Sequence, residues 1–169
     1  LSFNVVIIPG NHDCMEEDTI FRKFDFNSIP NIFMLMEAEG ELLRFDEFKL
    51  AMWGKGIVQH DSKYRPLDGC PDKPEGYKWY IGLGHGLFVP RGEQTFRSSP
   101  IFMDQIETSP CDYLALGHHH AAKQILNDYT AAAYSGSPTD NIGGGPSYII
   151  VDLVSGQKPD LHIHSLPKI

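Results

Sequence analysis

The sequence predicts a mixed α/β (α+β) fold built as one domain, and three observations carry that reading. Strand-like apolar runs alternate with helix-spaced segments, then give way to strands in series. The length, 169 residues and 19.0 kDa, suits one compact domain and is short for two. Hydrophobic residues at 41% supply a core and 21% charged residues lie near the globular norm. Disorder, collagen and coiled coil are thereby excluded as overall descriptions.

Val5-Val6-Ile7-Ile8, closed by Pro9-Gly10, reads as a buried parallel strand. After the Gly10-Asn11-His12-Asp13 turn, Ile20, Phe21 and Phe24 fall at helical spacing and predict a helix within 15–26, with Pro30 beyond its end. Residues 31–36, 42–46 and 48–53 read as strands, with Glu39-Gly40 as one turn. Residues 55–76 hold Pro66, Pro71, Pro74 and several glycines, the composition of a long functional loop. Residues 77–83 form a strand that stops at Gly84-His85-Gly86, 101–107 a short helix, and 113–116 a buried strand. Residues 124–126 and 131–134 pair over Asn127-Asp128, and 147–154 with 161–166 make a closing hairpin across Ser155-Gly156.

The chain opens Leu1-Ser2-Phe3-Asn4, without a methionine, a basic n-region or a small-residue cleavage site. It reads as the middle of a longer protein and not as a signal peptide. No apolar run approaches the length of a membrane span. Cys14, Cys70 and Cys111 cannot all pair internally and lack C-x-x-C spacing, so a reducing compartment, the cytoplasm, is expected. The net charge of −8, from 14 basic and 22 acidic residues, argues against a generic polyanion binder. Lys55, Lys63, Arg65, Lys73, Lys78, Arg91 and Arg97 nevertheless make 55–97 a +2 stretch against its five acids, leaving −10 elsewhere. Tyr64, Tyr77, Trp79 and Tyr80 are interleaved there, as stacking platforms for nucleic acid would be. A solvated loop with its aromatics in the core is the plainer reading.

Three histidine-bearing segments share one layout, in which a buried strand ends, glycine follows and a ligand-type residue comes next. They are Gly10-Asn11-His12-Asp13, Gly84-His85-Gly86 and Gly117-His118-His119-His120. Side chains at strand carboxyl ends converge on one rim, where α/β sheets build their sites. Imidazole and amide oxygen are suitable donors for zinc, manganese or iron. In extended chain His118 and His120 point to one face and His119 to the other, so the pair could reach one ion or two neighbouring ions. His85 alone, beside glycines, also suits a turn filler. Gly-Asn-His-Asp is the most specific segment: a given tetrapeptide arises by chance in about one chain in a thousand of this length, at roughly one residue in twenty per position.

Gly10-Asn11-His12-Asp13, Gly84-His85 and Gly117-His118-His119-His120 resemble the third, fourth and fifth motifs of the calcineurin-like metallophosphoesterases. Order and separation fit as well, with 73 residues from His12 to His85 and 33 from His85 to His118. Tyr134-Ser135-Gly136-Ser137-Pro138 is similar to the DNA-repair exonuclease branch, the SbcD-type nucleases. The resemblance implies an αββα sandwich of two mixed sheets, with residues 1–169 a partial catalytic domain lacking its N-terminal part and any capping domain. It implies two divalent ions, Mn2+ first and Fe2+, Zn2+ or Mg2+ as alternatives. Asn11, His85 and His118 would bind one ion and His120 the other, with His12 as general acid or electrostatic stabiliser. Two ions about 3.5–4 Å apart would activate a hydroxide for in-line attack on phosphate. DNA and an SMC-like ATPase subunit are the implied partners; a homodimer is compatible, and no membrane is involved.

The family's D-x-H and G-D-x-x-D motifs do not appear ahead of Asn11, and no Gly-Asp dipeptide occurs. Asp160-Leu161-His162 is formally D-x-H but reads as a hairpin strand, Leu161 and Ile163 inward and His162 and His164 toward solvent. Without those carboxylates the chain alone is expected to bind metal weakly and hydrolyse little. Ser135, Gly136 and Ser137 could offer backbone N–H groups to a substrate phosphate or form a plain turn. Gly143-Gly144-Gly145-Pro146 lacks the lysine of a P-loop and reads as a flexible loop. His60 has no evident partner and reads as a surface residue. A phosphoesterase for a small or phosphoprotein substrate, and a non-catalytic binding or scaffold domain, are the alternatives to a nuclease.

Overall fold

The computed structural model describes residues 3–139 and 144–167 of the chain. Its fold is mixed α+β, mostly strands in several sheets with few helices. The chain begins with β1 (Val5–Ile7), which pairs in parallel with β2 (Ile32–Met34). This two-strand ribbon is partly open: Val5 is exposed, so the expected burial of the first strand does not hold.

Between those strands the expected helix shrinks to α1 (Ile20–Lys23) and a single 3-10 turn, Phe26–Ser28. Thr19 supplies no side-chain cap, and Ile20 and Phe24 remain exposed, so no apolar stripe is buried to hold a longer helix. Phe21 and Phe24 instead pack edge-on against Phe26.

The main sheet has six strands. β3 (Glu41–Phe45) and β4 (Leu50–Gly54) form an antiparallel pair, and β4 continues into parallel pairing with β5 (Trp79–His85). β5 pairs in parallel with β8 (Tyr113–Gly117), and β8 with β10 (Ala131–Tyr134); β9 (Lys123–Ile125) closes the edge antiparallel to β10. Four strands therefore run the same way, and Gly54, His85, Gly117 and Tyr134 all end at one edge. Strand β5 extends through Gly84 and His85, two residues further than its apolar run suggests.

Beneath the sheet lies the core, centred on Ala51, Trp53, Tyr80, Leu114, Ala132 and Tyr134. Two short parallel strands not evident from the sequence, β6 (Leu87–Val89) and β7 (Pro100–Phe102), form their own ribbon, and α2 (Met103–Glu107) follows directly. The last ribbon pairs β11 (Ser147–Asp152) with β12 (Asp160–Ser165) as expected. Its faces are less covered than expected: Ile163, read as inward, is 47% exposed. His162 does face solvent beside Asp152 and Asp160, and His164 stacks on Tyr148. The described residues form one six-stranded sheet and three two-stranded ribbons. No helix among them is long and apolar enough to cross a membrane.

Candidate metal centre

Asn11 follows the β1 strand, His85 ends β5 and His118 follows β8, so three remote segments deliver side chains to one rim. They meet on a single atom. The Asn11 Oδ1 lies 2.7 Å from His85 Nε2 and 3.2 Å from His118 Nδ1. The two imidazole rings stand edge to face, with centroids 5.5 Å apart.

Glycine makes the close approach feasible. A Cβ on Gly10 would lie 2.6 Å from the His85 ring, and one on Gly117 2.8 Å from its Nδ1. Both backbones therefore press against the imidazole from different loops. The Gly10 N–H donates to Asp13 Oδ1 at 2.8 Å, which closes the Asn11 turn on itself.

Burial pushes the His85 pKa down to about 4, with the charges of His118 and His12 adding to the effect and Asp13 opposing it. His118 is lowered for the same first reason, helped by His120, Arg97, His12 and His119. Both rings are thus neutral near neutral pH, the state in which imidazole ligates metal. One amide oxygen and two neutral imidazoles around a common point suit a single divalent ion of the manganese-to-zinc series.

The other expected residues stand differently. His12 and His120 are exposed, close enough for their charges to act on His118. The extended-chain argument for His118 and His120 does not hold, because β8 stops at Gly117 and His118 takes φ 107°. That left-handed backbone breaks the two-residue alternation, and it is strained for a side-chain-bearing residue. His119 turns aside, its Nδ1 lying 2.9 Å from the Ala121 carbonyl and its ring packing on Tyr134.

Ser135-Gly136-Ser137 does not present its full set of backbone donors. The Ser137 N–H donates to the His120 carbonyl at 3.1 Å, and the Ser135 carbonyl accepts from the Ser147 hydroxyl at 2.9 Å. The Ser137 N–H is thus engaged with the His120 backbone. Gly143 and residues 140–142 lie outside the described residues.

Several neighbours went unassigned in the sequence. A cavity of about 190 Å³ beside His118 is lined by Phe88, Tyr134 and Lys123, with Lys123 Nζ 5.3 Å over the Phe88 ring. A separate, larger cleft of about 500 Å³ lies after β4, where Lys55, Lys63 and Arg65 face Glu39, Asp61 and Asp68 around Tyr64. Lys55 is buried with Nζ 5.0 Å over the Tyr64 ring, and burial lowers its pKa against the opposing charges of Asp68 and Glu39. The larger cleft is not the histidine centre; chemistry, not volume, marks the latter.

His60 is not a solitary surface residue. Among the described residues, the group of three histidine, cysteine or carboxylate side chains whose ligand atoms all lie within 4.8 Å of one another is Cys14, Glu16 and His60. The rim histidines do not form such a group. No protein-family model matches the chain, and no curated protein matches it.

Proposed function

We propose that this chain is part of a metal-dependent phosphoesterase of the calcineurin-like kind, with its αββα sandwich, and that it acts on phosphodiester bonds in DNA. The observation that carries the reading is the convergence of Asn11, His85 and His118, from three remote loops, on the Asn11 side-chain oxygen. These residues would hold one divalent ion, Mn2+ first among the ions their donors accept. Such an ion supplies Lewis acidity toward a phosphoryl oxygen and lowers the pKa of a water.

The chain's own residues set the rest. Gly10 and Gly117 hold the His85 ring in place, and its Nε2, hydrogen-bonded to the Asn11 oxygen in the free chain, would give up its proton to hold an ion. His12, exposed on the same loop as Asn11, is the group that would hand a proton to the departing oxygen. Arg97, whose charge acts on His118, would offset phosphate charge. The cleft after β4 sets Lys55, Lys63 and Arg65 against Glu39, Asp61 and Asp68, so DNA as the substrate rests on the resemblance of the motifs and not on the charge of this cleft. Carboxylates that would hold a second ion in place are missing from the described centre, so turnover by these 169 residues alone is expected to be slow.

Calorimetric titration with Mn2+ tests the reading, using wild type and His118→Gly. Glycine at φ 107° removes the imidazole while relieving the backbone, so a loss of binding is not a loss of fold. Wild type should bind Mn2+ and the variant should bind about tenfold or more weakly. Failure of wild type to bind Mn2+, or binding untouched by the substitution, would overturn the proposal. Hydrolysis of aryl phosphates without any DNA affinity would move the substrate to a small ester.

A further inference from the structure

We infer that Cys14, Glu16 and His60 form a zinc site, separate from the centre at Asn11, His85 and His118. Their sulfur, oxygen and nitrogen ligand atoms all lie within 4.8 Å of one another. Donors around a tetrahedral zinc ion, at bond lengths of about 2.0–2.3 Å, stand roughly 3.3–3.8 Å apart. Closing from one spacing to the other asks only for small side-chain rotations.

The backbone holds the two contributing loops together before any ion arrives. The Met15 N–H donates to the Ile57 carbonyl at 2.9 Å, between the cysteine and the glutamate on one side and three residues from His60 on the other. Glu16 N–H donates to the Cys14 carbonyl at 2.8 Å and Thr19 N–H to the Glu16 carbonyl at 3.2 Å, so the Cys14-Met15-Glu16 turn is fixed. Cys14 is buried, 6% exposed, whereas Glu16 and His60 are exposed and leave a path for the ion.

The donor set selects the metal. One thiolate with one imidazole favours zinc over magnesium, calcium or manganese, which prefer oxygen. Three protein ligands leave the fourth position to water. On binding, the sulfur–zinc bond forms as the Cys14 thiol proton passes to solvent. The ion would join the loop bearing Asn11 to the start of the long 55–76 loop. It thereby stiffens one wall of the metal centre without being part of it.

Cobalt(II) titration of the metal-free full chain distinguishes this site from the other one. Only a thiolate ligand gives an intense near-ultraviolet sulfur-to-cobalt charge-transfer band, and Asn11, His85 and His118 cannot supply it. Wild type and His118→Gly should both show the band, and Zn2+ should bleach it. Cys14→Ser should abolish it, and His60→Ala, on an exposed residue whose loss leaves the core intact, should weaken cobalt binding about tenfold or more. No band in wild type, or a band that survives Cys14→Ser, overturns the proposal. Because Mn2+ binding at the histidine centre is measured separately, either site can fail without the other.

Discussion

His85 is pressed between two backbone segments, and a ring so enclosed resists taking a proton. Its pKa of about 4 lies below the ordinary 6.5, with burial as the leading cause. The sign of the consequence follows by linkage. Between those two values the unfolded chain binds a proton that the folded chain refuses, so stability falls as pH drops through the window. A shift of that size corresponds to on the order of 3 kcal/mol once the window has been crossed. Urea unfolding of chelator-treated protein from neutral to acid pH should show the decline, and His85→Gln should flatten it. A wild-type profile as flat as the variant's would mean that the ring is hydrated in solution. At this scale the sequence exposes residue types well and neighbours poorly. Asn11, His85 and His118 were legible because each follows an apolar run whose end must lie at a sheet edge. His60 was not, since its partners Cys14 and Glu16 are remote in sequence and meet it only through the Met15–Ile57 hydrogen bond. Nor does any pattern announce the positive φ of His118, which is imposed by the loop around it.

Elements divide along the same line between local signal and tertiary support. Strands β4, β5, β8 and β10 were readable because they are buried on the sheet and carry continuous apolar stretches. The Asn127 turn was readable too, and its side chain accepts from Tyr129 and Thr130 N–H groups while donating to the Ile125 and Thr130 carbonyls. The helix expected over 15–26 failed because spacing alone does not bury a face, and β6 and β7 escaped because three-residue strands carry too few positions to show a period. One link between elements is invisible in sequence altogether. Cys70, in the long loop, sits with its sulfur 3.7 Å from that of Cys111, just ahead of β8. Hydrogen bonds from Cys111 and Tyr80 lower the Cys70 pKa, whereas Cys111 is raised first by that same bond and then by burial. Cys70 is half-buried and Cys111 buried, so Cys70 is the thiol that an oxidant such as diamide reaches first. Oxidation should consume these two thiols and leave Cys14 titratable, and Cys70→Ser should prevent it. Bridging positions 41 apart in sequence would add about 4 kcal/mol on the chain-entropy argument, read as a higher urea midpoint. Pairing of Cys14 in place of Cys70 would contradict the geometry.

At the scale of the whole molecule, charge is unevenly spread along the chain. The chain carries −8 overall, yet its 55–97 stretch is positive. Packing then decides which of those cations remain available. Lys73 is paired with Asp112 at 2.8 Å and Arg91 with Glu107, so both are spent on structure. The aromatics thin out similarly: Tyr80 is fully buried and Tyr77 donates to Asp46, which removes both as stacking platforms. Tyr64 remains in the cleft with Lys55, Lys63 and Arg65, and Arg97 lies by His118, beside a Phe96 that is 96% exposed. Lys55 is buried, so Lys63, Arg65 and Arg97 are the cations left to meet a strand. The first two stand in a cleft that also holds Glu39, Asp61 and Asp68; on the proposed reading the three would make a weak, salt-sensitive track. If each neutralises one phosphate, log K against log salt should fall with a slope of about −2, and Arg97→Gln should reduce its magnitude by about 0.7. Fluorescence anisotropy with labelled single-stranded DNA, in chelator, reads the slope without turnover. A slope near zero would leave the acidic remainder of the surface in control and remove DNA as the substrate, while the histidine centre would stand as a site for a small phosphate ester.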